Sequence, residues 1–301
     1  MNLFSSLLFS LLASTSAAIA APVAIAQDPP ADSTTPASSS ALRIASHGEQ
    51  MNALVYRPAG NGPHPVAILF HGFPGNEQNL DLAQAMRRAG WAVVTLHYRG
   101  SWGSEGKFTF DGAVEDGMAV LEWVEDAKNS ERMHFDRKRI VVAGHSMGGY
   151  VAAEVCAAHA EVVGCALIAP WDLSMDKPLL AKQTSAERDR TAATEFDDID
   201  GRISGMTARS VVETLADHGD RWSLAKSAPG LARHPTLIVL AGRDGDDCKA
   251  LQLVPALKTR KPEALKVETI DTDHAFNNHR IALETLVLDW LAALPHASAP
   301  H

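Results

Sequence analysis

From residue 41 onward, short apolar runs alternate with amphipathic stretches. The run "MNALVYRP" (51–58) reads as a strand that stops at a proline. "PVAILF" (65–70), "WAVVTLHY" (91–98), "RIVVAG" (139–144), "VVGCALIA" (162–169), "PTLIVLAG" (235–242) and "ALKVETI" (264–270) are short and rich in β-branched residues. The fully apolar "PVAILF" suits a strand buried on both faces. Between them, residues 76–90, 111–127, the stretch after Ser146 and residues 277–294 carry helical spacing. Strand–helix alternation of this kind predicts an α/β fold, a mainly parallel sheet with helices on both faces.

The alternation stops at Pro170 and resumes at Pro235. Residues 171–232 are polar and charged, with helical stretches such as "SAERDRTAATEFDDI" and no strand character. They read as a helical cap inserted between two core strands. The first 26 residues lack charged side chains and run from an apolar core, Leu3 to Leu12, into small residues with A-x-A sites ending at Ala20 and Ala26. That is the pattern of a cleavable export signal, too short in its apolar part to span a membrane. Residues 27–41 are rich in Pro, Ser, Thr and Ala and read as a flexible linker. The core domain is then 42–294, with a tail at 295–301.

Charge and cysteine content narrow the partners. A net charge of −9, with no basic cluster beyond Arg137–Arg139, makes nucleic acid a poor partner. No integral membrane span remains after cleavage. Three cysteines, Cys156, Cys165 and Cys248, do not form a disulfide framework, though one pair could close in an oxidising compartment. Which two would pair stays open.

The chemistry gathers around "IVVAGHSMGGY" (140–150), where an apolar run breaks into Gly-His-Ser-Met-Gly-Gly. Glycines weaken a strand, so their use here implies a sharp strand-to-helix turn that presents Ser146. A serine nucleophile needs a base within reach, a carboxylate to orient that base, and N–H donors for the oxyanion. On an α/β sheet these come from loops at the carboxyl ends of different strands. Asp244 in "GRDGDD" follows one late strand, and His274 in "DTDHAF" follows the next.

"GHSMGG" resembles the nucleophile elbow of the α/β-hydrolase superfamily, and the order Ser, Asp, His matches that superfamily too. "LFHGFPGN" (69–76) is similar to its His-Gly loop. The resemblance spans about residues 45–294. It implies an α/β-hydrolase fold and a serine hydrolase with Ser146 as nucleophile, Asp244 as acid and His274 as base. The amides of Phe73 and Met147 form the oxyanion hole, and no cofactor or metal is needed. Asp247 is the alternative acid in the same loop, and His279 the alternative base, although it falls where the last helix should already run. His71 is expected to brace the oxyanion loop, and His145 to hold the elbow. Trp171 and Trp222 would either line a pocket or pack cap against core.

"YRGSWGSEGKF" (98–108) followed by "EDGMAVLEWV" (115–124) resembles prolyl-oligopeptidase-like (peptidase S9) and X-prolyl dipeptidyl peptidase-like hydrolases. Those enzymes place a tyrosine in the oxyanion hole, and "HGFPGN" has none. The expected substrate is a small ester or peptide-like molecule. The expected enzyme is a carboxylic ester hydrolase, with a small S9-like peptidase or a non-catalytic ligand-binding protein as alternatives. The signal pattern places it outside the cytoplasm, periplasmic or secreted.

Overall fold

A computed structural model describes residues 26–260 and 265–295. Eight strands form one sheet in the order β1-β2-β4-β3-β5-β6-β7-β8. They are β1 (Ser38–Ser46), β2 (Glu49–Arg57), β3 (His64–Phe70), β4 (Ala92–Leu96), β5 (Phe135–His145), β6 (Gly164–Ile168), β7 (Thr236–Ala241) and β8 (Leu265–Ile270). β1–β2 and β2–β4 pair antiparallel, and every other pairing is parallel. The sheet is thus mainly parallel, with an antiparallel edge.

Helices cover both faces: α1 (Leu80–Arg88), α2 (Phe110–Glu125), α3 (Ala127–Met133), α4 (Met147–Ala158) and α10 (Arg280–Ala293). Successive strand residues point to opposite faces, and the core divides accordingly. Ala67, Leu69, Val141 and Ala143 pack with Leu82 and Met86 of α1 and Leu283 and Val287 of α10. Val66, Ile68, Ile140 and Val142 pack with Val120 and Leu121 of α2 and Val151 and Val155 of α4. Each such Val, Leu, Ile or Met side chain, fully withdrawn from water, contributes roughly 1.5–3 kcal/mol. Helix α4 is apolar nearly all round, and from Met147 to Cys156 only Glu154 is not buried. Such a helix belongs inside.

The insertion at 171–232 is helical. It contains α5 (Lys177–Leu180), α6 (Ser185–Glu195), α7 (Ala208–His218) and α8 (Ala228–Leu231), and α9 (Leu253–Lys258) follows β7. Capping boxes start α6 at Thr184 and α7 at Thr207. The insertion is also tied to the core by backbone pairing. Ser101 bridges Ile203, Ser204 N–H donates to Gly100 O at 2.6 Å, and Phe108 N–H donates to Ser204 O at 2.9 Å.

The proposed linker needs correction at its end. Ser38 to Ala41 already pair with β2, because "LRIAS" alternates inward and outward and buries Ile44. Thr35 is anchored too, its carbonyl accepting from Gly60 N–H at 2.9 Å. The export signal, apart from Ala26, and the tail beyond Pro295 lie outside the described residues.

A disulfide joins Cys156 of α4 to Cys165 of β6, while Cys248 stands outside it. The two bonded residues are nine apart. Loop-closure entropy for so short a loop amounts to about 2–3 kcal/mol. The Cys156→Ala/Cys165→Ala double variant should lose about that much, read as a lower urea midpoint. Equal midpoints would show that the bond constrains nothing in the unfolded chain.

Candidate active site

Ser146 sits between the last residue of β5 and the first of α4, with φ 57° and ψ −124°. Non-glycine residues rarely occupy positive φ, and holding one there costs on the order of 1–3 kcal/mol. The neighbours over-determine the turn. Ser146 N–H donates to Ile168 O at 2.9 Å, and Ser146 O accepts from Trp171 N–H at 3.0 Å. A Cβ on Gly144 would lie 2.0 Å from Gly148 O, and one on Gly148 would lie 2.3 Å from Phe70 O. The glycines of the motif are there because backbone touches backbone.

β3 and β5 are adjacent, with Phe70 opposite Gly144. Two residues further along each strand, Gly72 meets Ser146, and a Cβ on Gly72 would stand 2.9 Å from the serine Cβ. Gly72, the residue before Phe73, therefore lies against the serine. Met147 is the first residue of α4, where helical N–H groups lack an intrahelical acceptor. These are the two amides expected to bind an oxyanion.

The loop carrying Phe73 is braced from behind. His71 is fully buried, and its Nδ1–H donates to Gly72 O at 2.6 Å. Burial holds its pKa down to about 3, so the ring is neutral. The Tyr98 hydroxyl, its pKa pushed well up by burial, donates to His71 O at 3.1 Å. Trp102 Nε1–H donates to Pro74 O at 2.7 Å. Arg99, between those two braces, bonds Asp116 through Nε at 2.5 Å and Glu115 through a terminal nitrogen at 2.6 Å. Asp116 is buried and also accepts from Ser46 Oγ at 2.7 Å. The Tyr98–Gly106 stretch and the Glu115–Asp116 pair thus form a support for the loop that carries Phe73.

Asp244 follows β7 and His274 follows β8, whose register sets Ala241 opposite Ile270. The strand ends bring the two together, with His274 Nδ1 2.5 Å from Asp244 Oδ2. Asp244 is largely shielded and His274 more open, with side-chain exposures of 12% and 39%. The carboxylate fixes the ring with Nδ1–H toward it and leaves Nε2 as the acceptor. His145 Nε2–H donates to the His274 carbonyl at 2.8 Å, and the two rings lie 4.7 Å apart. His145 is neutral as well, its pKa lowered to about 3 by burial and by His274. It was expected to hold the elbow, and its hydrogen bond in fact ties the residue before the serine to the His274 loop. Among the described residues, no hydrogen bond joins the Ser146 hydroxyl to His274. Contacts of that type commonly close only around substrate.

The alternatives are placed elsewhere. His279 directly precedes α10, with its N–H donating to Phe276 O. The Asp247 side chain lies outside the described part of the structure. Trp171 and Trp222 are buried against Phe110 of α2, at centroid distances of 6.0 and 5.1 Å, and Trp222 Nε1–H donates to Asp111 at 2.6 Å. They pack cap on core. Sequence reasoning missed Cys248, which lies close to the Asp–His pair. Its donor atom and those of Asp244 and His274 all fall within 4.8 Å of one another. Only the turn after Gly245 reveals this.

A sheet of this topology with a positive-φ serine at a strand–helix junction has known counterparts. The family profile described as alpha/beta hydrolase fold matches residues 69–278. The chain belongs to that family. It is 38% identical over 103 residues to an uncharacterized 31.7 kDa protein in the traX-finO intergenic region of Escherichia coli, covering 32% of this chain and 34% of that one. It is 29% identical over 120 residues to the carboxylic ester hydrolase LipN of Mycobacterium tuberculosis, covering 38% and 31%. The chain spans about a third of the length of these curated relatives. The esterase Pf2001 of Pyrococcus furiosus superposes with a TM-score of 0.60 at 16% identity, over 89% of this chain and 97% of that one. At that identity the likeness is one of fold.

The two buried histidines make stability depend on pH. His71 and His145 stay neutral in the folded protein down to about pH 3. Unfolded, each titrates near 6.5. Below about pH 6.5 the unfolded chain therefore binds more protons, and stability falls as pH drops toward 3. The slope should reach up to about 1.4 kcal/mol per pH unit for each ring. Urea unfolding at pH 7 and pH 5 should give a clearly lower free energy at pH 5. The same free energy at both would mean that the rings already carry charge in the native state.

Proposed function

We propose that the protein is an exported carboxylic ester hydrolase working through an acyl-enzyme on Ser146. The observation that carries this reading is the placing of these groups at the ends of four strands. A positive-φ serine follows β5, Gly72 after β3 lies against it, and the Asp244–His274 pair follows β7 and β8. Family membership makes hydrolysis the expected class, and the named ester hydrolase among the relatives favours esters over amides.

The mechanism follows from these positions. His274 Nε2 takes the Ser146 hydroxyl proton as Oγ attacks the ester carbonyl, and Asp244 stabilises the resulting imidazolium. The amides of Met147 and Phe73 receive the negative oxygen. The imidazolium then gives its proton to the leaving alkoxide, which departs as an alcohol. Water, deprotonated by the same ring, attacks the acyl carbon and frees Ser146. Acyl transfer of this kind asks for no cofactor.

Two observations support export. The uncharged apolar N-terminus has the signal pattern, and the Cys156–Cys165 disulfide suits an oxidising compartment. No helix among the described residues is long and apolar enough to cross a membrane.

A fluorophosphonate probe should label the wild-type protein and fail on Ser146→Ala. Labelling of neither would favour a ligand-binding protein on this fold. On p-nitrophenyl esters, Asp244→Asn should lower kcat on the order of 10⁴-fold with the fold intact. Asp247→Asn should change it little, and the reverse result would move the acid to Asp247. Aminoacyl and prolyl amides run alongside decide the bond type. Faster turnover of the amides would replace the esterase reading with a peptidase one.

A further inference from the structure

We propose that Asp244, Cys248 and His274 form a site for zinc, or a divalent cation of similar softness, and that its occupation switches hydrolysis off. The inhibitory half rests on the reading of His274 as the base. The binding half does not.

The donor set is what such an ion selects. A carboxylate, a thiol and an imidazole come from two neighbouring loops, and one donor atom from each lies within 4.8 Å of the other two. Zinc takes these ligands at about 2.0–2.3 Å, so the edges of its tetrahedron measure roughly 3.5 Å. Each donor need therefore move only about an ångström or so. Cys248 is 5% exposed, and its thiol is the only one in the chain once Cys156 and Cys165 are bonded. His274, half open to solvent, gives an ion its way in. Three protein ligands leave a fourth position for water. Magnesium and calcium prefer all-oxygen sets and are poor occupants.

Binding and catalysis then compete for one ring. As the Sγ–zinc bond forms, the thiol proton leaves to solvent. The imidazole is held by the metal, through either nitrogen, and can no longer turn to accept the Ser146 proton. Occupation also draws the Asp244 carboxylate away from its orienting role. Sequence spacing among the histidines gives no hint of this site, because the fold alone assembles it.

Cadmium reports the thiolate directly through an ultraviolet sulfur-to-metal charge-transfer band. Titrated into the full-chain protein, it should raise that band to saturation at one equivalent, and Cys248→Ala should show none. Zinc should inhibit ester hydrolysis reversibly on addition of a chelator. Even an outer-shell partner is worth about 10–100-fold in metal affinity. Cys248→Ala, scored against its own metal-free rate, should therefore need at least about tenfold more zinc for half-inhibition. Cys248→Ser, nearer in size to the native residue, should stay folded where alanine does not and should likewise lack the band and lose zinc sensitivity. Absence of the band in the wild-type protein, or equal zinc sensitivity in all three proteins, would overturn the proposal. If the protein hydrolyses no ester and takes no fluorophosphonate, the band still decides the site, and only the inhibitory half falls with the enzyme reading.

Discussion

The backbone of Ser146 is the constraint on which the rest of the site depends. Its positive φ costs on the order of 1–3 kcal/mol and cannot persist without support on every side. β6 provides one support through Ile168 O, and the start of the cap provides another through Trp171 N–H. The third is close approach, since Gly144, Gly148 and Gly72 all face atoms that a side chain would displace. A serine held this way has little freedom to relax, so its hydroxyl position is set by the sheet and not by a loop.

The strand order explains why everything meets here. From β3 the chain moves outward to β4, then returns past β3 to β5 and on toward β8. Where the direction reverses, loops diverge and leave a crevice at the carboxyl ends of the strands. The loop after β3 and the turn after β5 flank that crevice. Neutral histidines stitch its two sides: His71 holds the first loop, and His145 ties the second to the His274 loop. Burial keeps both rings uncharged near neutral pH, so each serves as a fixed hydrogen-bond donor.

Most of this was legible in the chain, for physical reasons. Strands β3 to β7 announce themselves because burial on both faces demands continuous apolar runs, β8 does so at the sheet edge through the alternation of "LKVETI", and the elbow does so because only glycine tolerates its contacts. β1 did not, since an antiparallel edge strand needs only alternate apolar residues, and "SSSALRIAS" offers two. The partners of Arg99 were also hidden. "YRGSWGSEG" and "EDG" carry a family resemblance, but that Arg99 and Asp116 form a buried brace behind the oxyanion loop is a tertiary fact. The disulfide remained open because spacing cannot select one pair from three cysteines. The proximity of Cys248 to His274 depends on a single turn after β7, and residue types do not specify it.

The cap is joined to the same machinery more closely than an inserted lid would require. Phe73, whose amide is a proposed oxyanion donor, packs its ring 6.2 Å from Phe196 of the cap and 5.2 and 5.7 Å from Phe108 and Phe110. Phe110 in turn contacts Trp171 and Trp222 at the two ends of the insertion. One aromatic cluster thus spans the oxyanion loop, the start of α2 and the cap. Aromatic rings pack in preferred geometries and transmit displacement because the interior is close-packed. Any displacement of the cap at Phe196 therefore works against the packing of Phe73. On the proposed mechanism, one packed cluster therefore joins the cap to the residue that carries a proposed oxyanion donor.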